Sequence, residues 1–93
     1  MGIFSRPEPI TVEGEIARIG IIFHTESSIV YGIHLVGHKG RFWVDEAVGA
    51  RGASNDQIAM AVRGDRVRFG TKPNRPNEAT GFFDNMTMKA DLA

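Results

Sequence analysis

Residues 10–23 read ITVEGEIARIGIIF, and this stretch restricts the fold more than any other in the chain. Ile10, Val12 and Ile16 alternate with Thr11, Glu13 and Glu15. That is the period-two pattern of a strand with one face buried and one in water. Gly14 and Gly20 interrupt it. Glycine inside a strand marks a bulge or a sharp coil, so the segment predicts one long, bent first strand.

The rest of the chain continues in strand-length pieces. HTESS is a polar turn, IVYGIHLV a second strand, GHKG a glycine-bracketed loop and RFWVD a third strand, which makes a hairpin. A loop of Gly37 to Gly40 sets Val36 opposite Arg41, Leu35 opposite Phe42, His34 opposite Trp43, Ile33 opposite Val44 and Gly32 opposite Asp45. One face of the hairpin then holds Tyr31, Ile33, Leu35, Phe42 and Val44 as core. The other holds Gly32, His34, Val36, Arg41, Trp43 and Asp45. A one-residue slip would bury Arg41 and Asp45, which disfavours it.

EAVGARGA reads as a loop. SNDQIAMAVRG reads as a helix of about two turns, with Ser54 as N-cap, Gln57 closing a capping box and Gly64 following Arg63 at the end. Its Ile58, Met60, Ala61 and Val62 suit plugging one end of a barrel. DRVRFGT alternates Val67 and Phe69 inward with Arg66 and Arg68 outward as a fourth strand. KPNRPNE is a loop and ATGFFDNMTM a fifth strand. Residues 1–9 form a polar leader, 10–88 the domain, and 89–93 a flexible tail. Arg63-Gly64-Asp65 spells an adhesion tripeptide, but here it is the junction of a helix end and a strand start.

Strand, strand, strand, helix, strand, strand, with a long coiled first strand, is the layout of an all-β, five-stranded OB-fold barrel (β1-β2-β3-α-β4-β5). GDRVRF at 64–69 resembles the start of the fourth strand in cold-shock and S1-like OB domains, and the proline- and asparagine-rich segment after it resembles their β4–β5 hairpin. The resemblance implies a single-stranded DNA- or RNA-binding face on strands 2 and 3 and in the flanking loops. An SH3-like barrel is the nearest rival fold.

Composition narrows the function classes. A chain of 93 residues gives one domain with a small core. The absence of cysteine excludes disulfides, thiolate nucleophiles and zinc ribbons. No glycine-rich phosphate loop, nucleophile elbow or HExxH occurs, so a non-enzymatic protein without cofactor is expected. His34 and His38 lie in a strand and a loop, with no carboxylate or thiolate cluster to complete a metal site. The start, MGIFSRPEPI, has no signal-peptide pattern and no apolar run reaches membrane-span length, so a soluble, cytoplasmic protein is expected. Net charge is zero, with a local excess in residues 63–77, where five basic side chains meet one acid, for a net +4.

Single-strand binding needs aromatic faces for bases and cations for phosphates. Trp43 and His34 supply the stacking platform, Gly32 gives close approach, and Phe23 and His24 are additional stackers at the mouth of the β1–β2 loop, although the apolar neighbours of Phe23 also suit it to the core. Lys39, Arg41, Lys72 and Arg75 contact phosphate. Arg66 and Arg68 are expected to pair with Glu13 and Glu15 across β1 and β4. The alternative for the same face is a protein–protein contact, including a homodimer through Trp43.

Overall fold

The computed structural model describes residues 10–49 and 56–92. Five strands, β1 (Ile10–His24), β2 (Ile29–Leu35), β3 (Phe42–Asp45), β4 (Arg66–Lys72) and β5 (Arg75–Asn85), close a barrel in the order β1-β2-β3-β5-β4. This is the OB-fold topology. The barrel closes through a parallel contact of β3 with β5 at Trp43 and Glu78, and the other pairings are antiparallel. Between β3 and β4 lie two single helical turns, α1 (Glu46–Gly49) and α2 (Asp56–Ala59).

β1 serves two neighbours in succession. Residues 10–15 pair with β4 and residues 16–24 with β2, so the strand must bend between them. Its irregularities fall between Ile16 and Arg18 and between Ile21 and Phe23, beside the two glycines rather than on them. Each inserts an extra residue and reverses which face the next side chain takes. The first turns Arg18 outward and Ile19 toward the core. The second turns Phe23 outward, opposite Val30.

The β2–β3 register differs by two residues from the sequence expectation. Tyr31 pairs with Val44, Gly32 with Trp43, and Ile33 with Phe42. Val36 cannot face Arg41, because its N–H donates to Glu15 O at 2.9 Å while His38 N–H turns back to Leu35 O at 3.1 Å. The loop therefore runs from Val36 to Arg41, with Gly37 and Gly40 at positive φ (81° and 77°), a region that favours glycine. A shift of two preserves the faces. Tyr31, Ile33, Leu35, Phe42 and Val44 are buried as expected, and Trp43 is exposed.

Ile16, Val67, Phe69 and Phe83 complete the core, with Phe69 edge-on to Phe42 at 5.3 Å and stacked on Phe83 at 5.7 Å. One end is plugged by Ile58 and Ala61, two of the four side chains expected for it. Met60 and Val62 are exposed, because α2 stops at Ala59 after one turn instead of two. Ser54 lies outside the described residues, and Oε1 of Gln57 accepts the Asn85 N–H at 2.8 Å.

Asn85 ties this end together. Its Nδ2 donates to Gln57 O (3.3 Å) and to Asp65 Oδ2 (3.0 Å), and its Oδ1 accepts the Met88 N–H at 3.0 Å. That last bond caps a third helix, α3 (Met86–Leu92), so the fifth strand ends at Asn85 and a helix takes up most of the expected tail. Asp65 is buried, its Oδ2 also accepting the Val62 N–H at 3.1 Å. The Arg-Gly-Asp sequence has no exposed carboxylate to offer a receptor. Gly64, at φ 96°, donates to Ile16 O. Among the described residues no buried side-chain polar atom lacks a partner.

Two further expectations change. EAVG forms the helical turn α1 rather than a loop, because Oδ1 of Asp45 accepts the Ala47 N–H at 2.9 Å and the Ser28 hydroxyl, capping the turn. KPNRPNE is mostly strand. Lys72 pairs directly with Arg75 across a tight turn at Pro73 and Asn74, and Asn77 lies in β5, with its side-chain amide donating to Arg41 O at 3.1 Å.

Candidate functional site

On the outer face of the sheet Trp43 lies opposite Gly32 and is 42% exposed. Phe23 meets it edge-on, with 6.3 Å between ring centroids. The guanidinium of Arg41 covers the indole at 5.6 Å, within cation–π range. These three side chains come from β1, from β3 and from the residue just before β3. The second irregularity in β1 explains why Phe23 is 45% exposed here instead of joining the core.

An open cleft of about 460 Å³ runs from this cluster to the β4–β5 hairpin, lined among others by Phe23, Val30, Trp43, Lys72, Glu78 and Thr80. Its volume falls in the range that accommodates small ligands. Phe23, Val30 and Trp43 give it an aromatic and apolar part, and Asp45, Lys72 and Glu78 bring charge to its lining.

The nine residues expected at a binding face are not all brought together. Trp43, Phe23, Arg41, His34 and Gly32 share the outer face. Lys39 is exposed in the β2–β3 loop. His24 is exposed but lines a separate depression with Thr25, Ser27 and Glu46. Gly32 does not offer close approach, because the space its missing side chain leaves is filled. A Cβ there would stand 2.6 Å from Cδ of Arg41 and 2.9 Å from Cγ1 of Ile22. The glycine instead lets Arg41 lie flat across β2 and reach Trp43.

The cations of the β4–β5 hairpin are already engaged. Lys72 Nζ is 2.8 Å from Glu78, and Arg75 Nη1 is 3.4 Å from the same carboxylate. The Lys72 hydrogen bond, with the positive charge of Arg75 nearby, holds the Glu78 carboxyl below its ordinary range. Arg66 pairs with Glu13 at 2.9 Å as expected. Arg68 turns instead to Asp84 on β5, at 3.4 Å, rather than to Glu15. Lys89 from α3 also binds Asp84, at 2.8 Å, and this hydrogen bond is the main reason its carboxyl is pulled below the usual range.

Arg18 was not anticipated. Counted by twos from Ile10 it falls on the inward parity, but the irregularity after Ile16 turns it outward, opposite His34. The signal was present in the sequence: the apolar positions change from even (Ile16) to odd (Ile19, Ile21), which points to an inserted residue between them, and that residue is Ala17, just before Arg18.

Among the described residues there is no cluster of three or more metal-ligating side chains, and no helix is long and apolar enough to cross a membrane. No protein-family model matches the chain, and neither a curated protein nor a solved structure is significantly similar to it.

Proposed function

We propose that this OB barrel binds single-stranded nucleic acid across the outer face of β2 and β3, with a base stacked on Trp43. The observation that carries the proposal is the exposed Trp43, flanked by Phe23 and Arg41 at the head of an open cleft. A flat aromatic surface takes any base by stacking, and the neighbouring guanidinium is placed to meet the phosphate that accompanies it. Phosphate contact falls to Lys39 and Arg41, which have no carboxylate partner among the described residues. With Lys72 and Arg75 held by Glu78, the log–log slope of affinity on salt is shallower than the about −3 that four free cations would give.

Self-association through the same face is the competing reading, favoured by the exposure of Phe23 and Trp43 side by side. Trp43 is the sole tryptophan, so its emission reports on this face alone. A single-stranded oligonucleotide at low salt is expected to quench it. Unchanged emission with oligonucleotide, together with a red shift on dilution, would replace the nucleic-acid reading with the self-association one.

A further inference from the structure

Beyond Arg41, on the side away from the cleft, the outer face of β1 and β2 holds a second depression of about 260 Å³. It is lined by Arg18, Gly20, Ile22, Gly32, His34 and Arg41, together with Ile19 and Ile21. Its floor is the Gly20–Gly32 pair. A Cβ on Gly20 would meet nothing within 4 Å, so the β1 side of the floor is open backbone. Over Gly32 lies the stem of Arg41. Arg18 and His34 face each other across β1 and β2, with the Arg18 guanidinium 3.5 Å from His34 Nε2, a long and weak contact.

The charge of this basin sets it apart. No aspartate or glutamate lines it, and neither Arg18 nor Arg41 has a carboxylate partner among the described residues. Two arginine side chains and an imidazole line this shallow basin, whose floor is open backbone at Gly20, and such a lining suits an oxyanion. The planar fork of arginine binds two oxygens of a phosphate at once. Arg41 also touches Trp43, so an anion seated here would be adjacent to a base stacked on the indole.

We propose that Arg18, His34 and Arg41 form a seat for the backbone phosphate next to the base stacked on Trp43, so that the strand crosses the sheet from β3 toward β1. This rests on the nucleic-acid reading above and adds a requirement to it: the ligand must carry a phosphodiester beside the stacked base. Gly32 acts as a positioning residue, since any side chain there displaces the stem of Arg41.

The test is a set of Trp43 quenching titrations with a single-stranded oligonucleotide over a range of salt, for the full chain and for Arg18→Gln. Arg18 is exposed and lies two strands from Trp43, so the variant should fold and keep the full quenching amplitude at saturation. Its affinity should fall roughly three- to tenfold at low salt, and its log–log slope should shrink by about 0.7, one phosphate contact. Quenching with wild-type affinity and slope in Arg18→Gln overturns the seat while leaving the nucleic-acid reading in place. If the wild-type chain is not quenched at all, that reading fails, and inorganic pyrophosphate becomes the probe. Amide shifts clustered at Arg18, Gly20, Gly32 and His34 would then support an anion seat independent of nucleic acid, and their absence would overturn both.

Discussion

Along β4 and the start of β5, Arg66, Arg68, Lys72 and Arg75 each meet a carboxylate, whereas Arg18, Lys39 and Arg41 on β1 and the β2–β3 hairpin meet none among the described residues. The first group sits in the segment whose linear net charge is +4, the second in parts of the chain with no such excess. The acids that neutralise β4 and β5 come from elsewhere in the chain, Glu13 from β1 and Glu78 and Asp84 from later in β5. A run of positive charge in a sequence is therefore not an electrostatic footprint until the topology has assigned its partners. Exposed ion pairs add little stability, but they do occupy the cations. On this comparison the cations of the β4–β5 side serve the fold, and those of the β1–β3 side are left open to the proposed ligand.

The largest effect should come from breaking the fold-serving side at its buried end. Asn85→Ala removes one of the two hydrogen bonds to the buried Asp65 carboxylate and the one to Gln57 O, and leaves the Met88 N–H without its acceptor. Unsatisfied buried groups cost about 1–3 kcal/mol each. A loss of roughly 2–4 kcal/mol in urea unfolding is therefore expected, with unaltered affinity of the folded fraction for a single strand. A large affinity loss without a stability loss would mean that β5 takes part in binding.

On the other side the expected balance is reversed. Trp43→Ala deletes a side chain that is 42% exposed, so the domain should keep its fold while affinity falls by roughly 1–3 kcal/mol, the value of one stacked base. Intrinsic fluorescence is lost with the residue, so anisotropy of a labelled oligonucleotide is the measurement. If the variant unfolds, the indole supports the barrel and the division between the two sides fails.

How far the sequence foretells this arrangement depends on whether local pattern or distant pairing decides each feature. The strand order and the inward set Tyr31, Ile33, Leu35, Phe42 and Val44 were legible because period-two alternation survives a register error of two residues. The outward position of Trp43 was legible for the same reason. The fates of Phe23 and Arg18 were harder to read, because each depends on an irregularity in β1 that reverses parity in mid-strand. Pairing of Lys72 and Arg75 with Glu78 was hidden because the prolines of KPNRPNE suggested a loop, whereas Pro76 is accommodated in the strand and brings Glu78 back against Lys72. The cap on α3 is a local bond, with Asn85 accepting the Met88 N–H three residues on, whereas the burial of Asn85 beside Asp65 is a contact across 20 residues that no local signal carries.

A smaller effect would sharpen the comparison directly. Glu78→Gln removes the carboxylate that holds both Lys72 and Arg75 beside the Trp43 cleft. Two cations are freed at a rim of the proposed site. Affinity for a single strand should rise a few-fold at low salt, and the log–log slope should steepen by up to about 1.4, two phosphate contacts. Lys72→Gln and Arg75→Gln, in contrast, should change affinity less than about twofold, since their charges are already matched. An unchanged slope in Glu78→Gln would show that the strand does not pass the β4–β5 hairpin.

The smallest effect is on acid stability, and it isolates the ion pairs from the ligand altogether. Asp84 is held below its ordinary range, first by the Lys89 hydrogen bond and then by Lys89 and Arg68 charge, against an opposing contribution from burial. A carboxyl whose value is lower in the folded than in the unfolded chain binds fewer protons when folded, so its stabilisation is fully present above the unfolded value and is lost as pH falls through the folded one. The unfolding midpoint in urea should therefore be level with respect to this group above the ordinary aspartate range near 3.8 and decline below it. Asp84→Asn should lower the midpoint slightly at neutral pH and flatten the acid decline, because the amide has no proton to gain. The Arg18 basin has no lining carboxylate to titrate, so Arg18→Gln should leave that acid profile as it is in the wild-type chain. A profile that flattens in Arg18→Gln would show that Arg18 has an acid partner after all, and the distinction between engaged and free cations would fail where the proposed seat depends on it.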